Sequence, residues 1–228
     1  MLQWIVAILF LGCAAEAIFI ILERKGKLFA ALLLKSAASL FFVVSGAVAL
    51  GMANDPLFAR MVLAGLVLGA LGDICLNLRF LLTAHAKPVF MAGIAAFLLG
   101  HIAYLSALIT RLPNALLFAL PVSALAALFI VRFVLARVEV QGTLSIFGVV
   151  YLCIVILMAA CAIALVVLSP SDPAHALFAF GGALFAASDV LLILNQFGRR
   201  AYPTFRVLNL SLYYLGQVCI AMTIALAR

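Results

Sequence analysis

Charged side chains are scarce in this chain. They make up 9% of its 228 residues, and only 7 residues are Asp or Glu, whereas apolar residues reach 69%. Soluble domains typically have about a quarter of their residues charged, so this composition excludes a soluble fold. No polar stretch is long enough to form a soluble domain or a long linker. The solvent for such a chain is a lipid bilayer.

Prolines are also few, at 7, and the apolar runs lack the two-residue alternation of membrane β-strands. A run of about 20 apolar residues is typical of a helix that spans a membrane. Eight such runs are predicted as helices, over about 2–22, 28–50, 58–78, 88–109, 115–136, 143–168, 174–196 and 205–227. The predicted fold class is an all-α integral membrane bundle of eight transmembrane helices, in a single domain over 1–228.

Cysteine and histidine form no metal motif in the sequence. All 5 cysteines lie within apolar runs, at spacings that match neither a zinc site nor a disulfide framework, and no HExxH sequence occurs. The net charge of +7 is spread over short loops and is not gathered into a basic patch. We therefore expect no metal, no cofactor and no nucleic-acid partner, with membrane lipid around the chain.

The basic residues instead indicate how the chain crosses the membrane. Most of them lie in or beside the odd-numbered loops: Arg24, Lys25, Lys27, Arg79, Lys87, Arg132, Arg137, Arg199, Arg200 and Arg206. The even-numbered loops and the termini carry only Arg60, Arg111 and Arg228. The positive-inside rule therefore predicts that the odd loops face the cytosol and that both termini are non-cytosolic. Short loops without a targeting tail favour a bacterial inner membrane.

Two aspartates interrupt the apolar runs in near-copies of one motif. Asp73 ends the stretch GLVLGALGD at 65–73, and Asp189 ends the stretch GGALFAASD at 181–189. A carboxylate at mid-membrane costs roughly 2.5–3.5 kcal/mol on insertion scales. A chain that carries this cost twice, in matched places, is expected to use the two acids together.

The two aspartates are 116 residues apart (189 − 73), and other positions share that offset. In the fourth and eighth runs, the tripeptide Leu-Gly-His at 99–101 matches Leu-Gly-Gln at 215–217. The offset predicts a duplication, with halves at about 1–112 and 113–228. Each half crosses the membrane an even number of times, so we expect two parallel four-helix repeats whose polar residues converge on one cavity.

Further polar residues are expected near the aspartates. Helical spacing places Asn77 one turn beyond Asp73, and it places His101 and Tyr104 on one face of the fourth helix. The other candidates for the site are Glu16, Lys35, Tyr151, Ser188 and Gln217. Each candidate also has an ordinary structural interpretation, as an interhelical hydrogen bond, a packed core residue or a side chain that reaches the interface.

Two carboxylates that share a site of low dielectric do not both ionise cheaply. One of them would keep its proton as a general acid, and the other would stay charged as a general base. This arrangement hydrolyses acid-sensitive C–O bonds through oxocarbenium-like states. His101 could relay a proton or orient a reacting group.

These motifs resemble the YhhN-like lysoplasmalogenases, which are membrane alkenylglycerophospholipid hydrolases. The resemblance rests on the stretches Gly65–Leu76, Phe90–Tyr104, Gly181–Leu192 and Tyr213–Gln217, and on Tyr151 with the helix that follows it. It covers essentially the whole chain. One departure is Lys35-Ser36, where the family is expected to have Lys-Pro, although the lysine is kept.

The resemblance implies hydrolysis of the vinyl ether bond of a lysoplasmalogen, a 1-alkenyl-glycerophosphocholine or -ethanolamine, to a fatty aldehyde and a glycerophospho-alcohol. One aspartate of the pair would protonate the outer vinyl carbon, and the other would stabilise the cation and activate water. The supporting residues would be His101, Gln217, Asn77 and Tyr151 around the substrate, with Lys35 and Arg79 at its phosphate.

Two other functions fit the same sequence. Duplicated halves with intramembrane acids are also typical of proton-coupled transporters of a small or lipid-like substrate, although helices broken by Gly or Pro in both halves are missing here. The third possibility is a non-catalytic lipid-binding or scaffold protein, whose acids would tolerate substitution by Asn.

Overall fold

A computed structural model describes residues 2–140 and 142–227, so Arg228, which enters the charge pattern above, lies outside the described part. The helices are α1 (Leu2–Arg24), α2 (Leu28–Leu50), α3 (Pro56–Leu78), α4 (Ala86–Arg111), α5 (Ala115–Leu135), α6 (Thr143–Leu168), α7 (Pro173–Phe197) and α8 (Pro203–Leu226). A 3₁₀ turn, Thr83–His85, precedes α4.

Eight helices in the described residues are long and apolar enough to cross a membrane, and these residues contain no β-strand. The predicted all-α class and its eight spans are therefore confirmed. Each helix end lies within two residues of the predicted end. The orientation of the termini across the membrane stays a prediction.

Helices α3 and α7 begin with the same local signal, an Asp-Pro pair. The Asp55 carboxylate accepts a hydrogen bond from the backbone N–H of Phe58 at 3.0 Å. The Asp172 carboxylate accepts one from the N–H of Ala174 at 2.9 Å. Each proline takes the first helical position, where no N–H is needed. The two caps fix where these helices start.

The described chain forms two compact units. The first comprises the chain up to Ala107 and from Ala221 onward, and the second is Leu108–Ile220. In the first unit, α1 packs on α2 and α2 packs on α3. In the second unit, α5 packs on α6 and α6 packs on α7. The duplication of the two sequence halves stays a prediction.

Glycines let neighbouring helices approach closely within each unit. In the first unit, a Cβ on Gly100 of α4 would lie 3.2 Å from the carbonyl oxygen of Gly65 of α3. In the second unit, a Cβ on Gly216 of α8 would lie 2.8 Å from the carbonyl oxygen of Gly181 of α7. The second pair of glycines lies 116 residues after the first. Both aspartate-bearing helices thus have a close helix contact at the equivalent position.

We expect Gly181→Ala to lower the free energy of unfolding by about 1–3 kcal/mol, because overpacking forces backbone shifts. The new Cβ would lie 2.9 Å from the backbone oxygen of Gly216, which cannot rotate away. Gly148 of α6 is a matched control, since a Cβ there meets nothing within 4 Å. Thermal unfolding in detergent measures both variants, and equal midpoints would contradict the prediction.

Candidate active site

In the first unit, Asp73 of α3 lies beside charged groups from α1 and α2. The Lys35 ammonium donates hydrogen bonds to both carboxylate oxygens of Glu16, at 2.9 and 3.0 Å, and it lies 3.6 Å from Oδ2 of Asp73. The Ser39 hydroxyl donates to the same Asp73 oxygen at 2.5 Å. All four residues are at most 4% exposed. Two carboxylates and one ammonium therefore share one buried network.

Helix geometry explains how these side chains meet. Lys35 and Ser39 are four residues apart, so they lie on one face of α2. Glu16 is eight residues from the end of α1, Lys35 is seven from the start of α2, and Asp73 is five from the end of α3. At 1.5 Å per residue, the network lies about 8–12 Å inside the helix ends that border the first and third loops.

The other predicted residues of the first unit make contacts that support their own helices. The Asn77 amide donates to the main-chain oxygen of Asp73 at 2.9 Å. Nδ1 of His101 lies 2.7 Å from the main-chain oxygen of Phe97, which can only accept, so this nitrogen carries the hydrogen. His101 also meets the Tyr104 ring edge to face, at 6.3 Å between centroids.

Arg79 follows α3 directly, six residues beyond Asp73. Its guanidinium lies over the rings of Phe80 and Phe90, at 4.7 and 4.5 Å from their centroids. Arginine often stacks on aromatic faces in this way while its N–H groups still point outward to a ligand. The guanidinium is therefore fixed near the end of the helix that carries Asp73.

In the second unit, Asp189 of α7 lies against α6. The Tyr151 hydroxyl donates a hydrogen bond to Oδ2 of Asp189 at 2.8 Å. Asp189 is 3% exposed and Tyr151 is 7% exposed. Each lies eight residues from a helix end, Tyr151 from the start of α6 and Asp189 from the end of α7, so the pair is about 12 Å inside those ends.

The remaining predicted residues of the second unit have partners close by. The Ser188 hydroxyl donates to the main-chain oxygen of Phe185 at 2.7 Å, within α7. The Gln217 amide donates to the hydroxyl of Tyr213 at 3.2 Å, within α8. Asn209 of α8, which was not predicted, donates to the main-chain oxygen of Ser188 at 2.8 Å. The bond from Asn209 ties α8 to the turn of α7 that precedes Asp189.

The 116-residue offset also relates the contacts of the two aspartates. Lys35 lies beside Asp73, and the residue 116 positions after Lys35 is Tyr151, which lies beside Asp189. Each aspartate therefore faces a donor from the same position of the preceding helix in its own unit. The donor is an ammonium in one unit and a neutral phenol in the other, so the two acids have different surroundings.

The described residues contain no group of three or more His, Cys, Asp or Glu side chains that could hold a metal ion. The carboxyl groups of Asp73 and Asp189 have the hydroxyls of Ser39 and Tyr151 and the ammonium of Lys35 as their partners. Such buried groups can hold and transfer protons at fixed positions.

Comparison with known proteins identifies the family. The sequence profile of the YhhN family matches residues 27–224, a range that includes both aspartates, Lys35 and Tyr151. No curated protein and no solved structure matches the chain. The eight apolar helices and the family match together indicate an integral membrane protein. The chain belongs to the YhhN family, which is the lysoplasmalogenase family.

Proposed function

We propose that this protein hydrolyses the vinyl ether bond of lysoplasmalogens within the membrane, releasing a fatty aldehyde and a glycerophospho-alcohol. Family membership supports a lysoplasmalogenase-like hydrolase. One observation supports the proposed bond and mechanism: each unit has a buried aspartate that accepts a hydrogen bond from a hydroxyl. Asp73 accepts it from Ser39, and Asp189 accepts it from Tyr151. A carboxyl group held in this way suits proton transfer in a site of low dielectric.

The reaction adds water across an electron-rich double bond and then expels an alcohol. A proton from a carboxyl group bonds to the outer vinyl carbon, and the ether oxygen stabilises the inner carbon as an oxocarbenium ion. Water attacks the inner carbon and loses a proton to a carboxylate, which gives a hemiacetal. The bond from this carbon to the glyceryl oxygen then breaks. The glyceryl oxygen gains a proton and the hemiacetal hydroxyl loses one, so one water is consumed in total.

We assign the proton donor to Asp189 and the carboxylate that stabilises the cation and activates water to Asp73. Asp73 lies 3.6 Å from the buried Lys35 ammonium, and buried charges are generally paired. Asp189 has a neutral phenol beside it, and a protonated carboxyl group still offers that phenol an oxygen.

The substrate phosphate is assigned to Arg79 instead of Lys35. The Lys35 ammonium is engaged by Glu16 and Asp73, whereas Arg79 lies at the end of α3. No chemical step is assigned to Asn77, His101, Ser188 or Gln217. The side-chain hydrogen bonds described for these four residues go to residues of their own helices.

Hydrolysis in deuterated water tests the proton-transfer step. Purified protein acting on 1-alkenyl-glycerophosphoethanolamine should give an aldehyde with one deuterium on the carbon next to the carbonyl carbon, because that carbon takes the proton. Reduction of the aldehyde as it forms prevents later exchange. The saturated 1-alkyl analogue should not react, since it cannot form the oxocarbenium ion by protonation. Uptake of the lipid into proteoliposomes without any aldehyde would favour the transporter and contradict the proposal.

A further inference from the structure

The second unit contains an open apolar groove between α5, α6 and α7. It has a volume of about 600 Å³, and its 18 lining residues are all apolar. Eight of them are alanines, whose short side chains leave the groove empty. Ile163 and Val167 on its rim are 53% and 72% exposed, so the groove opens toward the surface that the membrane covers. We call it the α5–α7 groove.

The groove starts at the level of the Asp189–Tyr151 hydrogen bond. Leu152, the residue after Tyr151, and Val190, the residue after Asp189, both line it. On α6 the lining continues to Leu168 at the opposite end of the helix. Sixteen residues separate Leu152 from Leu168, so the groove is about 24 Å long at 1.5 Å per residue. It runs away from the helix ends near Asp189 and across the apolar interior.

The dimensions favour a single hydrocarbon chain over a protein segment. A volume of about 600 Å³ spread over about 24 Å gives a mean cross-section of about 25 Å². A helix with its side chains is about 10–12 Å across, which corresponds to roughly 80–110 Å². The volume also falls within the range of about 300–1,000 Å³ that is typical of sites for small molecules.

We propose that the α5–α7 groove binds the single hydrocarbon chain of the lysolipid substrate, an inference that rests on the proposed function. A lysolipid places its headgroup at the membrane surface, its vinyl ether at the first two carbons of the chain, and the rest of the chain deeper. The Asp189–Tyr151 pair lies about 12 Å inside the helix ends, and the groove continues inward from that level. The membrane surface, the Asp189 carboxyl group and the groove therefore follow one another in the same order as the headgroup, the vinyl ether and the hydrocarbon chain of the substrate.

Bulky residues on α7 test this assignment. Ala187 and Ala183 line the groove and are exposed to it, and Ala183 lies about 6 Å farther from the level of Asp189. Ala187→Phe and Ala183→Phe should each fill part of the groove. Ala176→Phe is the matched control, since Ala176 is exposed on the same helix and does not line the groove.

The binding experiment uses a lysophosphatidylethanolamine whose chain carries a photoreactive diazirine. In the unsubstituted protein and in Ala176→Phe, crosslinks should map to α5, α6 and α7. They should fall about tenfold in Ala187→Phe, which corresponds to the lost burial of roughly two methylene groups. Variants with Leu in place of Phe repeat the comparison if a Phe variant does not fold.

The kinetic experiment measures kcat/KM over alkenyl substrates of increasing chain length. Ala183→Phe should keep its activity on short chains and lose about tenfold on long ones, because the far part of the groove is blocked. Three results would overturn the assignment of the groove: crosslinks outside it, crosslinks to a second copy of the chain, or an unchanged chain-length profile. Aldehyde release in the same samples would then still uphold the proposed function. Crosslinks in the groove without aldehyde release would uphold the groove and reject the vinyl ether reaction.

Discussion

Replacement of either buried aspartate by asparagine should abolish aldehyde release. Asp73→Asn and Asp189→Asn keep the size of the side chain but remove the proton or the charge that the mechanism needs. General acid–base catalysis typically contributes about 10²–10⁴-fold to the rate, and we expect losses near the upper end because proton transfer to carbon starts the reaction. The measurement is kcat of the purified variants on 1-alkenyl-glycerophosphoethanolamine.

A carboxylate outside the membrane provides the control for these substitutions. Glu139 is exposed and pairs with Arg199 at 3.2 Å. Glu139→Gln makes the same chemical change and should leave kcat within about twofold, because exposed ion pairs contribute little. Thermal unfolding of each variant shows that the fold is kept. If either aspartate variant retained more than about a tenth of the activity, the two-aspartate mechanism would be rejected.

The eight helices could be predicted from the sequence because a bilayer demands long apolar runs and leaves few alternatives for the backbone. The ends of the helices were harder to predict. The runs predicted to start at 58 and 174 begin at Pro56 and Pro173, because Asp55 and Asp172 cap the helices just outside the apolar stretches. A count of apolar residues overlooks these polar caps, whereas the Asp-Pro pair itself signals them.

The aspartates could be found in the sequence because a charge inside an apolar run is costly and therefore conspicuous. Their partners were harder to find. Ser39 carries no charge, although its place four residues after Lys35 puts it on the same helical face. The equivalence of Lys35 and Tyr151 was missed because the two residue types differ, and the contacts with the aspartates reveal it. The catalytic roles of these residues stay predictions.

The second large effect is expected at Lys35, and it concerns stability as well as activity. The Lys35 ammonium is 1% exposed and lies between the carboxylates of Glu16 and Asp73. Lys35→Met would leave the carboxyl groups of Glu16 and Asp73 in the membrane interior without the cation that they share. Loss of one partner of a buried ion pair typically costs about 3–5 kcal/mol, so we expect a loss of this size in the free energy of unfolding.

The double variant Glu16→Gln/Lys35→Met distinguishes the contribution of Lys35 to stability, through its ion pair with Glu16, from its contribution to catalysis. It removes the positive charge and one of the two negative charges together, so part of the lost stability should return, although Asp73 still lacks its cation. Lys25→Met, at an exposed position of the first loop, should change stability by no more than about 0.5 kcal/mol. Thermal unfolding in detergent and aldehyde release are measured on the same samples. Because the ammonium also lies 3.6 Å from Asp73, the double variant should regain part of its stability and remain inactive. Full recovery of activity would show that Lys35 serves only to pair Glu16.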